Sequence, residues 1–371
     1  GIDFWNTHKD KEKAIIPKSI ATPSLLAGIF TNKYCDHLPY YRQSQRFSRN
    51  NIHISRQDMS NWQQKVYNPA IKPLVELLKK HILAHDFMQM DETTMRVMNE
   101  PEKANTSTSY AWAARGGPPD KPAVIFTYRN NRSHQHPKEF LEQYSGYVQI
   151  DGYAAYETAT ESRPDIKLVG CFAHVRRKYH DAWIASKKKS KRAETGIQYV
   201  KKLKKKKKEL RGQNLSAPEF LKKRKEAATP VLEQFKLWCE EELPKTPPDS
   251  NLGKAFSYTL HQWDKLARYV EHPEITPTNN LVENIIRPFV LGRKNWLHNG
   301  SPEGAEASCG LFSIIQTAKL NSLNVYVYLN YLFTEIPKRQ PESDLSDLIP
   351  FNIDTKKLKT FMVNQIPNLV D

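Results

Sequence analysis

The spacing of apolar and polar positions divides the chain into an irregular start, a short helical stretch and a longer segment in which strands and helices alternate. Residues 1–20 are polar and without period, and are expected to form an arm or linker. From Pro23 the pattern turns helical. Pro23–Phe30, Tyr40–Phe47 after Leu38-Pro39, and a third run from Ser55 to Trp62 predict three short helices. Pro69–His85 follows with Ile71, Leu74, Val75, Leu78, Ile82 and Leu83 on one face, an amphipathic helix. The period then changes. Phe87–Thr93, Ser109–Ala114 and Ala123–Tyr128 read as strands, the last two joined by the turn Gly116-Gly117-Pro118-Pro119. A helix over Pro137–Tyr144, a strand over Tyr147–Asp151, a strand over Ile166–Phe172 and a helix through His174–Tyr179 come next. Pro302–Leu320 and Val325–Phe333 predict two helices that close the core.

Three strands, a helix, a strand, a helix and a strand is the order expected of a ribonuclease-H-like α/β core. The expected organisation is an arm over 1–20, a helix-turn-helix-like α-helical domain over 21–67, and a catalytic core over 68–320. A largely helical, Lys-rich insertion over 182–252 interrupts that core, and a C-terminal helix and tail occupy 321–371.

Composition narrows the partner. The 371 residues, 39% of them apolar, suffice for two or three domains with a sizeable core. Lys and Arg number 56 against 40 acids, a net charge of +16 that favours a polyanion such as nucleic acid. The excess is local. Between Lys187 and Lys225 stand 17 basic and 3 acidic residues, so the remainder is close to balanced. This block reads either as a solvated helix or tether, or as a sequence-independent phosphate contact. Cys35, Cys171, Cys239 and Cys309 form no CxxC pair, which fits a reducing compartment rather than a disulfide framework. With no bilayer-length apolar run and no secretory segment, a soluble intracellular protein is expected. The opening Gly1, in place of Met, is expected to mark a fragment or processed form.

Three acids carry the candidate chemistry. Asp91 lies in Phe87-Met88-Gln89-Met90-Asp91, and Asp151 ends Tyr147-Val148-Gln149-Ile150-Asp151. Glu283 sits four residues before Arg287 in a helix-like stretch. Carboxylates that end hydrophobic strands are costly to bury unless neutralised, and divalent metal ions are the usual partner. In the expected core the first strand is central and the Asp151 strand lies beside it, so the two aspartates can meet while a later helix supplies Glu283. Two Mg2+ ions, for which Mn2+ can substitute, would then serve the attacking and leaving oxygens of an in-line displacement at phosphorus.

Around this triad Arg287, Arg293 and Lys294 are candidates to hold phosphates. The i,i+4 spacing of Glu283 and Arg287 also allows a simple ion pair. His174, Arg176 and Arg177 open a helix and are candidates for DNA contact. Cys171 and His174 have the spacing of half a zinc site, but no second ligand pair is visible, and a buried thiol beside a helix-start histidine accounts for them. In the first domain Ser55 is a cap that would expose Arg56, Gln57 and Asn61 where recognition helices touch DNA. If Met59 and Trp62 merely pack, the same helices make a small adaptor. Trp183, Trp238 and Trp263 read as helix-packing residues.

Several segments carry a family resemblance: Pro17–Leu26, Leu38–Gln43, Asp91-Glu92-Thr93, Asp151-Gly152-Tyr153, Gly170–Lys178 and Glu283–Pro288 followed by Gly292–Trp296. Together, in this order across roughly residues 15–335, they resemble the insertion-sequence 66 family of bacterial DDE transposases. The resemblance implies that Asp91, Asp151 and Glu283 are the catalytic triad. It further implies that transposon-end double-stranded DNA is cut with water and the freed 3′ hydroxyl joined to a target strand. A bacterial cytoplasmic, nucleoid-associated homo-oligomer on DNA, with accessory transposition proteins and no membrane contact, belongs to the same expectation. Two departures stand out. The relatives' upstream cysteine-rich zinc-binding segment and helical region have no counterpart within these 371 residues, and Thr278 stands where many relatives have Asp. The competing readings are a non-catalytic DNA-binding remnant and a nuclease of the same core without strand joining.

Overall fold

The structure, a computed structural model, describes residues 14–340 and 342–364. Residues 1–13 of the expected arm and the last residues of the tail lie outside the described residues. The chain divides into two compact units. One comprises the described residues up to His85 together with Glu92–Arg132 and the chain from Val282 onward; the other comprises Asp86–Asp91 and Ser133–Leu281.

The first unit opens with α1 (Pro23–Tyr34), α2 (Tyr40–Ser48) and α3 (Arg56–Val66). Thr22 accepts from the amide of Leu25 to start α1, and Ser55 forms a reciprocal capping box with Asp58 to start α3. The helices are held by a buried polar centre. The Tyr34 and Tyr40 hydroxyls each donate to Gln63 Oε1 at 2.6 Å, and Lys33 Nζ donates to the same oxygen at 3.2 Å while lying 3.8 Å from the Tyr40 ring centroid. Gln63 Nε2 in turn donates to the Gly304 carbonyl and to Ser308. Burial pushes the Lys33 ammonium down to about 7.

The helix expected over Pro69–His85 is α4 (Lys72–Leu83), preceded by a π-helical turn at Tyr67–Ile71 that contains Pro69. Proline brings no amide to a helical ladder, and the wider turn accommodates the missing bond. Then follow β1 (Phe87–Met95), β2 (Ser109–Gly116) and β3 (Ala123–Arg129). β3 is the outer strand of a sheet in the order β3-β2-β1-β4-β5.

The second unit continues through α5 (Gln135–Phe140), β4 (Gly146–Gln149), α6 (Ala154–Thr160), β5 (Ile166–Val169) and α7 (Phe172–Ala185). The strand expected to run to Phe172 ends at Val169. The Gly170 amide donates instead to the Lys265 carbonyl and that of Phe172 to the Pro277 carbonyl, so the ladder stops there. β4 is parallel to both β1 and β5. Gly146 has φ +129°, and a Cβ there would lie 2.4 Å from the Asp86 carbonyl, so only glycine starts this strand.

The Lys-rich segment is helical: α8 (Lys191–Arg211), capped by Ser190, and α9 (Ala217–Glu242), opened by a Ser216–Glu219 capping box. α10 (Asn251–His261) and α11 (Trp263–Ala267) complete the unit. Its core joins Phe172, Tyr179, Val200, Phe235, Phe256 and Trp263, with Trp183 and Trp238 packed against them, so all three tryptophans serve helix packing. Most lysines of α8 face solvent, but Arg224 of α9 is only 1% exposed. Its guanidinium donates to the carbonyls of Tyr269, His272, Pro273 and Ile275 at 2.6–3.2 Å, fastening the segment that leads toward Thr276.

The first unit resumes within α12 (Asn280–Trp296) and ends with α13 (Pro302–Leu320), α14 (Val325–Glu335) and α15 (Thr355–Asn364). α13 is buried on nearly every face. Ser313 and Thr317, one turn apart, accept from the amides of Phe126 and Val124 at 2.8 and 3.0 Å, covering the open side of β3.

Candidate active site

β1 and β4 run in parallel with Phe87 beside Tyr147, Met88 beside Val148 and Gln89 beside Gln149. Asp91 and Asp151 each follow the Gln89–Gln149 pair by two residues, Asp91 within β1 and Asp151 beyond the end of β4. Both aspartates are half-buried. β4 itself stops at Gln149, although the Ile150 amide still donates to the Val169 carbonyl, so Asp151 lies just past the strand it was expected to close.

Two contacts fix Asp151. Its Oδ1 accepts the Tyr153 amide at 2.9 Å, and its carbonyl accepts the Tyr258 hydroxyl at 2.8 Å. Gly152 permits the bend. It has φ +109°, and a Cβ would lie 2.7 Å from Tyr258 Oη. Burial, then the nearby Asp151 charge, pushes the Tyr258 phenol up, so it stays a hydrogen-bond donor.

Beneath the aspartates lies a polar pair that sequence reasoning passed over. Gln89 and Gln149 are fully buried, and Gln89 Nε2 donates to Gln149 Oε1 at 2.7 Å. Gln149 Nε2 donates to the carbonyls of Thr276 at 2.6 Å and Gly170 at 3.3 Å, and Gln89 also reaches the Thr278 carbonyl at 3.4 Å. Cys171 Sγ donates to Asn279 Oδ1 at 3.0 Å. The residues just before α12 are therefore tied to β1, β4 and the start of α7. A signal existed: both strands read apolar-Gln-apolar-Asp at the same spacing.

In the first unit Glu283 lies on the first turn of α12 and is half-buried, in keeping with the preference of a helix N-terminus for negative charge. Among the described residues it makes no ion pair with Arg287, which is exposed, so the spacing alone did not produce a bridge. Arg293 is half-buried and Lys294 exposed. Arg293 Nη1 donates to Thr94 Oγ1 at 2.6 Å and to Thr93 Oγ1 at 3.3 Å, and burial lowers its pKa. At the start of α7, His174 and Arg176 are half-buried and Arg177 exposed. Arg56, Gln57 and Asn61 are exposed along α3, with Gln57 donating to Asn61 at 2.9 Å, while Met59 and Trp62 are buried.

This is a mixed α/β protein with a five-stranded sheet, in which two neighbouring parallel strands pair Gln89 with Gln149. The family described as "Transposase IS66 family" matches residues 18–307, and the "IS66 C-terminal element" matches residues 313–351. The chain belongs to the IS66 transposase family. Similar proteins come from Sinorhizobium fredii (strain NBRC 101917 / NGR234). Uncharacterized protein y4qI is 30% identical over 349 residues, 91% of this chain and 64% of the relative. Uncharacterized protein y4hP is 27% identical over 364 residues, covering 94% and 65%, and y4jD is 30% identical over 346 residues, covering 90% and 66%. The chain thus spans just under two thirds of the length of these relatives. No solved structure matches it. Among the described residues, no helix is long and apolar enough to cross a membrane.

Proposed function

We propose that the chain carries the catalytic machinery of a metal-dependent DNA transposase, on a ribonuclease-H-like core preceded by a helix-turn-helix-like unit formed by α1–α3. The supporting observation is that Gln89 and Gln149 are partners on two adjacent parallel strands, with Asp91 and Asp151 each two residues further along the chain. Open α/β sheets bind their ligands outside the carboxyl ends of such strands. Glu283 joins the pair as the third carboxylate, on the order of the family motifs.

An all-oxygen carboxylate set suits Mg2+, with Mn2+ as a substitute. Asp91, Asp151 and Glu283 would hold such ions, which would supply charge neutralisation at the phosphodiester oxygens. The chain's own groups position the substrate. Tyr258 and the Tyr153 amide hold Asp151 in place. Arg287, Arg293 and Lys294 of α12 and His174, Arg176 and Arg177 of α7 hold DNA phosphates. Arg56, Gln57 and Asn61 contact the duplex from α3, and the lysines of α8 add a sequence-independent backbone contact. Water cuts the transposon end, and the freed 3′ hydroxyl attacks a target strand, in a homo-oligomer on paired ends that accessory proteins can assist.

The test is cleavage and joining of a transposon-end duplex in Mg2+. Asp91→Asn is expected to slow cleavage about a thousandfold, equivalent to ~4 kcal/mol of lost transition-state stabilisation. Cleavage by this variant at the ordinary rate would overturn the assignment. Cleavage by the intact chain with no joined product would leave a nuclease in place of a transposase.

A further inference from the structure

The first unit contains a cavity of about 310 Å3 that the triad does not use. Three cationic residues line it, Arg96, Arg293 and Lys294, together with Thr94, Thr106, Ser107 and Thr108, and no acidic residue lines it. Among the described residues none of these cations makes an ion pair. Two threonine hydroxyls hold one nitrogen of Arg293 from the β1 side. A guanidinium has five N–H donors in a planar fork, so donors remain for a ligand. Its burial is thus compensated by neutral oxygens only, and burial lowers its pKa.

Cations and hydroxyl donors without an opposing acid are complementary to a tetrahedral oxyanion. At roughly 30 Å3 per water the cavity holds about ten waters' worth, more than inorganic phosphate fills and enough for a sugar–phosphate unit. Thr94 follows Asp91 by three residues in one strand.

We propose that this cavity seats one sugar–phosphate unit of the DNA strand flanking the scissile bond, with Arg96, Arg293 and Lys294 on the phosphate and the hydroxyls of residues 106–108 completing its shell. The identity of the ligand as DNA rests on the transposase reading; the anion site itself does not. Sequence alone singled out Arg293 and Lys294. Arg96 and the hydroxyl run before β2 join them only in the folded chain.

The test is fluorescence anisotropy of the full chain with labelled duplex in EDTA, across 50–200 mM salt. Replacing one phosphate-contacting cation reduces the slope of log K against log salt by about 1. Arg96→Ala is expected to show that reduction, with Arg96→Lys restoring the slope. An unchanged slope in Arg96→Ala overturns the proposal. Titration with inorganic phosphate forms a second arm. Saturable binding that Arg96→Ala abolishes, with the DNA slope unaltered, assigns the cavity to free phosphate and likewise overturns the DNA assignment. If Asp91→Asn cleaves DNA normally while the Arg96→Ala slope falls, the catalytic reading fails and this one stands.

Discussion

The Gln89–Gln149 pair gives a sharp energetic test, because its members serve each other as well as the segment before α12. Gln149→Leu keeps the side-chain volume but removes the bonds to the Thr276 and Gly170 carbonyls and leaves Gln89 Nε2 without its 2.7 Å partner. A buried hydrogen bond contributes about 1 kcal/mol net, and an orphaned buried partner costs about 1–3 kcal/mol more. The expected loss is about 3 kcal/mol for Gln149→Leu and about 2 kcal/mol for Gln89→Leu, whose bonds to Thr276 Oγ1 and the Thr278 carbonyl are long, at 3.3 and 3.4 Å. In the double variant the mutual bond is lost once, and neither amide is left facing an apolar neighbour. Its loss should fall short of the sum of the singles by about 1–2 kcal/mol. Denaturant midpoints of the four chains at equal slope measure this directly. Additivity within about 0.5 kcal/mol, or a loss below about 1 kcal/mol for Gln149→Leu, would refute the argument.

Two further outcomes follow from single contacts. Tyr258→Phe removes the hydrogen bond onto the Asp151 carbonyl; a stability loss of about 1 kcal/mol and a slower single-turnover cleavage are expected, and an unchanged rate would show that Asp151 needs no such support. Lys33, held near 7 by burial, is neutral in the folded chain above that value but protonated in the unfolded chain up to about 10.4. The unfolded state therefore binds more protons in this window, and stability rises with pH from about 7 to 10 by at most ~1.4 kcal/mol per unit. Lys33→Met should flatten that rise in pH-dependent unfolding.

How much of this was legible in the sequence depends on how local each determinant is. The strands leading to Asp91 and Asp151 showed in their own apolar spacing, and the two pair in parallel with Gln89 beside Gln149. Ser55 caps the third helix as its sequence position implied. The helix expected over Pro137–Tyr144 instead spans Gln135–Phe140, because residues 135–136 are polar and gave no apolar signal for its start. Arg224 was hidden for a different reason. Inside a lysine-rich block it counted as one more solvated charge, and only the distant carbonyls of residues 269–275 make it a buried clasp. The Arg96 cavity depends likewise on bringing residues 94–108 to the end of α12.

The two hydroxyls of α13 on β3 bear on assembly. Ser313 and Thr317 occupy the donors to which a visiting strand would have to anneal. A copy of this chain adding a strand at that margin would have to displace α13, and the paired Ser313→Ala and Thr317→Val would leave the Val124 and Phe126 amides buried without these partners.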